Sequence, residues 1–201
     1  MKRLLIFISF ITLAIINFNC ERDDICAATT QTTPRLIVSF YDATDTEELL
    51  NVSRITVYGD GLFTDEDGVT TEPIEESNLI IVDYDDEDSY VFNINSNTIA
   101  LPLIVGHEGE LLTTRFVLEK DTDLRLDDDD STSSNIDIIE ISYNTDFVYV
   151  SRACGYKSNF KSIGVSRVTD DDNWITNIEI EETTQALIEN ENTTHVRIYH
   201  N

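Results

Sequence analysis

Basic side chains are scarce in this chain. Its 201 residues hold 13 Lys and Arg against 39 Asp and Glu, a formal charge of −26. Such a chain repels phosphate backbones, and no basic stripe interrupts the acidity, so nucleic acid is excluded as a partner. The same field resists unspecific docking on anionic lipid headgroups and attracts cations and basic partners. Long hydrophobic runs are also few. Leu4–Ile16 gives 13 uncharged, mostly apolar residues, short of the roughly 20 that a spanning helix needs, and no comparable run follows residue 20. There are three cysteines and no CxxC spacing, which makes a zinc site a poor reading. GxSxG, a Walker-type phosphate loop, GxGxxG and HExxH are all missing, so no catalytic or cofactor-binding residue is assigned and the chain reads as non-enzymatic. A 3.6-residue apolar stripe is missing too. The best helical candidate, Thr44–Leu50, would make only about two turns.

What the N-terminus does contain is an export signal. Lys2 and Arg3 precede the apolar run, after which the chain turns polar. A charged n-region and an h-region of about 7–15 residues define a secretory leader, which lies outside the fold. Removal of residues 1–19 leaves 182, enough for one domain with a substantial core.

With Cys20 directly behind that run, the chain resembles the bacterial lipoprotein precursors, in which the cysteine after the h-region is acylated and becomes N-terminal. The family usually has an aliphatic residue three positions before the cysteine and a small one just before it; Asn17 and Asn19 stand there instead. The alternative is an ordinary secretory leader that happens to contain a cysteine. The resemblance implies cleavage before Cys20 and a membrane tether through lipid on it, each buried methylene contributing about 0.8 kcal/mol. Lipid on Cys20 leaves Cys26 and Cys154 to pair in an oxidising compartment. That bridge would be worth on the order of 4–5 kcal/mol in the chain-entropy model. Free thiols or a metal site are the other readings of these two cysteines.

After a polar tether, residues 20–33, short runs rich in β-branched and aromatic residues alternate with acidic or Asn/Gly/Ser breaks. Strands are expected near 34–41, 52–58, 78–84, 89–95, 99–105, 113–119, 136–143, 146–152, 174–182 and 194–200, with a tight turn at Asn144-Thr145. In 136–141, Ile136, Ile138 and Ile141 nearly trade faces with Asp137 and Glu140, with a slip at Ile139. This pattern predicts an all-β protein, a single antiparallel β-sandwich over 34–201, immunoglobulin-like or transthyretin-like, of about 8–10 strands.

Acidic clusters at Asp83–Asp88, Asp121–Asp130 and Asp170–Asp172 invite a calcium reading, but the spacing of a calcium loop fails at each. They read as solvated hairpin loops that keep the protein soluble and blunt sheet edges, with a weak surface calcium site left open. His107 reads as a loop residue. His195 and His200, five apart, point to opposite faces of a strand and share no metal. Trp174 and the tyrosines read as core or cross-strand pairs, with an exposed sugar platform as the alternative. Arg152-Ala153-Cys154-Gly155-Tyr156 ends a strand, where the cysteine is a staple and Gly155 permits a positive φ. A hydrolase would need two carboxylates held across a cleft.

Two further resemblances carry location. Glu21-Arg22-Asp23-Asp24 looks like the signal that sends Bacteroidetes lipoproteins to the outer face of the outer membrane. The layout Cys20–Cys26, Thr33-Pro34-Arg35-Leu36 and Arg152–Tyr156 is similar to an uncharacterised Bacteroidetes lipoprotein family, over nearly the whole mature chain. It implies no activity. It implies an outer-membrane lipoprotein, on the surface or periplasmic face. The anchor, the staple and the lack of a catalytic motif lead to the expectation of a non-enzymatic module that binds an envelope protein partner; a carbohydrate- or cation-binding module is the alternative, and a hydrolase a further one.

Overall fold

The structure is a computed structural model and describes residues 25–27, 29–30, 32–62, 67–72, 91–127, 129 and 131–201. Among these the strands are β1 (Leu36–Asp42), β2 (Val52–Gly59), β3 (Ile94–Ser96), β4 (Thr98–Leu101), β5 (Leu111–Lys120), β6 (Asn135–Ser151), β7 (Gly155–Val168), β8 (Ile175–Ile180), β9 (Leu187–Ile188) and β10 (Val196–His200). Two short helices, α1 (Thr122–Leu126) and α2 (Glu182–Ala186), interrupt them. Four strands form one sheet in the order β4-β1-β10-β8 and six form the other in the order β3-β2-β5-β6-β7-β9. The two sheets pack together as an all-β sandwich.

Two compact units are distinguished. The smaller comprises Met1–Thr30, described only in part, with Tyr149–Tyr156; the larger comprises Gln31–Val148 and Lys157–Asn201.

In the larger unit, one core cluster draws on both sheets. Leu36, Val38, Phe40, Ile99 and Ile198 come from the four-stranded sheet and Ile55, Val57, Phe116, Ile139 and Phe160 from the six-stranded one, all 0–1% exposed. Burying a side chain of this size contributes about 1.5–3 kcal/mol, so the shared cluster is the main force holding the layers together. β1 is buried at every position from Leu36 to Phe40, which explains why its sequence, LIVSF, does not alternate. It lies between β4, antiparallel, and β10, parallel. The pairs β8–β10, β2–β3, β2–β5, β5–β6 and β7–β9 are antiparallel, while an isolated bridge from Glu108 to Thr145 is parallel.

Several local expectations are corrected. Asn144 and Thr145 do not turn. They lie inside the 17-residue β6, Asn144 paired with Leu111 on β5 and Thr145 buried with its hydroxyl accepting the Gly106 N–H at 3.3 Å. With no residue there at positive φ, nothing makes a tight hairpin; the reversal comes at Arg152–Cys154, followed by Gly155 at φ 69°. No slip occurs at Ile139. Asp137, Ile139, Ile141, Tyr143 and Thr145 all face inward, whereas Ile136 and Ile138 pack on the outer face against Tyr58 and Val117. Thr44–Leu50 is not helical, because the Asp42 carboxylate accepts the Thr44 N–H at 2.6 Å and the Asp45 N–H at 3.4 Å and holds a turn instead. Pro102, which has no N–H, follows the last residue of β4. The strand expected at 78–84 lies outside the described residues, as does the start of the one at 89–95. β7 and β9 were not expected: Lys157, Lys161 and Gly164 break the apolar pattern of β7, and β9 is only two residues long.

Candidate functional site

The smaller unit is built around one covalent link. Cys26 and Cys154 form a disulfide, S–S 2.06 Å and Cα–Cα 4.9 Å, spanning 128 positions. The Ser151 hydroxyl accepts the Cys154 N–H at 3.0 Å, which pins the turn that presents the sulfur. On either side of this turn, Tyr149 and Tyr156 meet edge to face, ring centroids 5.4 Å apart, and they remain 59% and 68% exposed. Ile25, next to Cys26, is 84% exposed. The segment Tyr149–Tyr156 carries Arg152 and no carboxylate. Cys20 and the leader lie outside the described residues.

In the larger unit, the histidines are structural. His195 is buried, its Nδ1 accepting the Ile37 N–H at 2.9 Å while its backbone N–H donates to the Ile37 carbonyl at 2.9 Å. Nδ1 as acceptor fixes the neutral imidazole with its proton on Nε2. Burial pushes its pKa down, opposed by a backbone hydrogen bond at Asn190 and by the Glu191 charge. His200 ends β10, buried against Phe40 and Trp174, with Nε2 3.2 Å from the Leu50 carbonyl. His107 sits in a loop, its N–H donating to Glu110 at 3.0 Å. Among the described residues, no three His, Cys, Asp or Glu side chains group so as to hold a metal ion.

Trp174 presents no face to solvent. It is 8% exposed, with its Nε1–H donated to the Leu118 carbonyl at 3.3 Å. The platform proposed for it is therefore ruled out by its burial.

The acidic loops turn their carboxylates on their own backbone. Asp127 accepts the Asp129 N–H, Asp129 the N–H and hydroxyl of Ser131, and Asp170 the Asp172 N–H. The Ser131 hydroxyl and N–H hold the Asp129 carboxyl below its usual range. The cluster at Asp83–Asp88 lies outside the described residues.

Two fully buried carboxylates escape sequence reasoning. Asp137 faces the core and accepts the Asn173 side-chain amide at 2.5 Å and the Ile175 N–H at 2.6 Å. Burial pushes its pKa up, against the lowering effect of those two donors. Glu119, on β5, is paired with Arg125 of α1 through two contacts of 2.5 and 3.0 Å and accepts the Ser134 hydroxyl at 2.6 Å. Asp137 was discoverable from its parity with Ile139, Ile141 and Tyr143; Glu119 follows Val117 on the outer face, where no rule of alternation predicts burial.

A groove of about 680 Å³ runs between the end of β2, the loop after β4 and β5, lined by Leu62, Pro102, Ile104, Thr114, Arg115 and Phe116 among others. Arg115 at its wall already faces Asp60 at 3.2 Å and Glu140 at 4.0 Å. Thr114 lies 2.6 Å from the Tyr143 hydroxyl, which donates to the Ile104 carbonyl at 2.9 Å. Burial raises the Tyr143 pKa, so this hydroxyl stays a neutral donor. The arrangement offers an apolar wall and a guanidinium already paired with two carboxylates.

A family model described as a family of unknown function (DUF6452) matches residues 78–200. No curated protein and no solved structure matches the chain.

Proposed function

The chain belongs to that family of unknown function, and we propose that it serves as a lipid-anchored binding or assembly module of the bacterial cell envelope. One observation carries this reading. Cys26 and Cys154 are joined to each other, so of the three cysteines Cys20 is left over, directly behind a charged and then apolar leader. A disulfide suits an oxidising compartment beyond the cytoplasm, and a cysteine at that point of a leader suits acylation. The buried polar groups support a non-catalytic role, since Asp137, Glu119 and His195 are committed to holding strands and loops. The acidic surface favours a partner with a basic face, and Glu21-Arg22-Asp23-Asp24 supports the outer membrane as the location.

Metabolic labelling with an alkyne palmitate analogue tests the anchor. Wild type takes up label and Cys20→Ala does not; equal labelling of both would defeat the reading. Protease shaving of intact cells distinguishes the outer face from the periplasmic one, and copurification from native membranes identifies the partner.

A further inference from the structure

The geometry points to Tyr149 and Tyr156, with Ile25, as a contact surface for lipid, seated in the headgroup layer of the membrane that carries the anchor. This rests on Cys20 being the acylated residue. From Cys20 to Cys26 is six positions, and an extended chain advances at most about 3.6 Å per residue, or roughly 20 Å in all. The disulfide places Cys154 Cα 4.9 Å from that of Cys26, so Cys154, in the turn between both tyrosines, is leashed within roughly 26 Å of the acylated residue.

The chemistry of the leashed segment suits an interface. Tyrosine combines an apolar ring with a hydroxyl that stays hydrated, and it concentrates where acyl chains meet headgroups. Tyr58, Tyr143 and Tyr199 of the same chain are at most 4% exposed, whereas Tyr149 and Tyr156 stand open, as does Ile25, the residue before the bridged Cys26. Charge permits the approach. In a chain of −26, the segment Tyr149–Tyr156 carries Arg152 and no carboxylate, so the turn itself adds nothing to the repulsion from an anionic surface. The tether itself, with Glu21, Asp23 and Asp24 against Arg22, supplies no electrostatic attraction. Ring insertion is the driving force.

The test uses the chain from Cys20 to Asn201 with the disulfide formed, coupled through the Cys20 thiol to phosphatidylethanolamine–phosphatidylglycerol vesicles bearing a maleimide lipid. Lactoperoxidase, confined to water, iodinates the tyrosines, and peptide mass spectrometry reads each site. Against uncoupled chain mixed with the same vesicles, iodination of Tyr149 and Tyr156 falls at least about tenfold, as expected for rings held several ångströms into the interface, while the half-buried Tyr41 is unchanged. Equal iodination in both samples overturns the inference, as does protection of Tyr41 to the same extent. Because no other protein is present, protection cannot come from a partner. Cys26→Ser/Cys154→Ser, coupled in the same way, loses the protection; retained protection would overturn the leash. Chemical coupling bypasses acylation in the cell, so a failure of palmitate labelling there and a failure of protection here are separate results.

Discussion

The Asp137 carboxylate on β6 accepts the backbone N–H of Ile175 on β8 at 2.6 Å, so a side chain on the inner face of one sheet secures the first residue of a strand in the other. The same carboxylate holds Asn173 at 2.5 Å, and Trp174 between them donates to the Leu118 carbonyl. The crossing from β7 to β8 is thus fastened at three consecutive residues.

Asp137 makes acid stability informative. Burial raises its pKa above the ordinary 3.8, so the folded state holds this proton to higher pH than the unfolded chain. Its contribution is fully present below 3.8 and declines as pH rises through the folded value. Asp137→Asn removes the titration and keeps an acceptor for Ile175. Urea midpoints compared from about pH 3 to neutrality show wild type losing ground to Asp137→Asn as pH rises; a constant difference would refute the assignment. Asp137→Ala, which strands two donors, costs about 1–3 kcal/mol.

His195 carries the opposite sign. Its pKa is held below the ordinary 6.5 by burial, so its contribution is present above 6.5 and is lost as pH falls through the folded value. Protonating Nδ1 also deprives the Ile37 N–H of its acceptor. His195→Gln is expected to flatten the decline in stability between neutral pH and the folded value, and an NMR titration of the imidazole should give a pKa under 6.5.

Glu119 and Arg125 test the cost of isolating a buried charge. Glu119 is fully buried and Arg125 is 20% exposed at the side chain. Arg125→Met leaves the carboxylate without its guanidinium and is expected to cost about 3–5 kcal/mol. Glu119→Gln/Arg125→Met recovers much of that loss, by denaturant unfolding. If the double variant were as unstable as the single one, the pair would be contributing packing rather than charge compensation.

The disulfide is expected to dominate the response to reductant. Cys26→Ser/Cys154→Ser lowers stability by about 4–5 kcal/mol if unfolded-chain entropy governs a separation this long. The wild type with dithiothreitol should match the double variant, and the variant itself should be indifferent to it. A loss below about 1 kcal/mol would mean that the unfolded chain is already compact between these positions.

Most of the sandwich was legible because β-branched runs bounded by polar breaks require strands. β1, β2, β5, β8 and β10 lie within a few residues of their expected places. What misled was the assumption that an acid faces water. Asp137 appeared to define the outer face of β6, yet it is Ile136 and Ile138 that point outward and Asp137 that points in. A carboxylate can take the inner face when two donors meet it, and those donors come from residues 36 and 38 positions away, which no local pattern records. β7 was hidden for a related reason: its lysines find Asp146 and the Glu189 carbonyl, partners supplied by the tertiary structure. Of the candidate site, the cysteine pair was readable by counting. The turn before Gly155 was readable too, from a strand ending at Arg152 and a glycine free to take positive φ; the meeting of Tyr149 with Tyr156 across it was not, because β7 was not expected to follow.

The parallel pairing of β1 with β10 sets a timetable for biogenesis. Val38 and its neighbour Val196 are as far apart in sequence as Ile37 and His195, 158 positions, and among the described strands β10 alone joins β1 to β8 in the four-stranded sheet. Translation must therefore reach residue 200 before that layer can close. Until β10 arrives, β1 has only β4 beside it among the described strands, and its other edge waits unpaired.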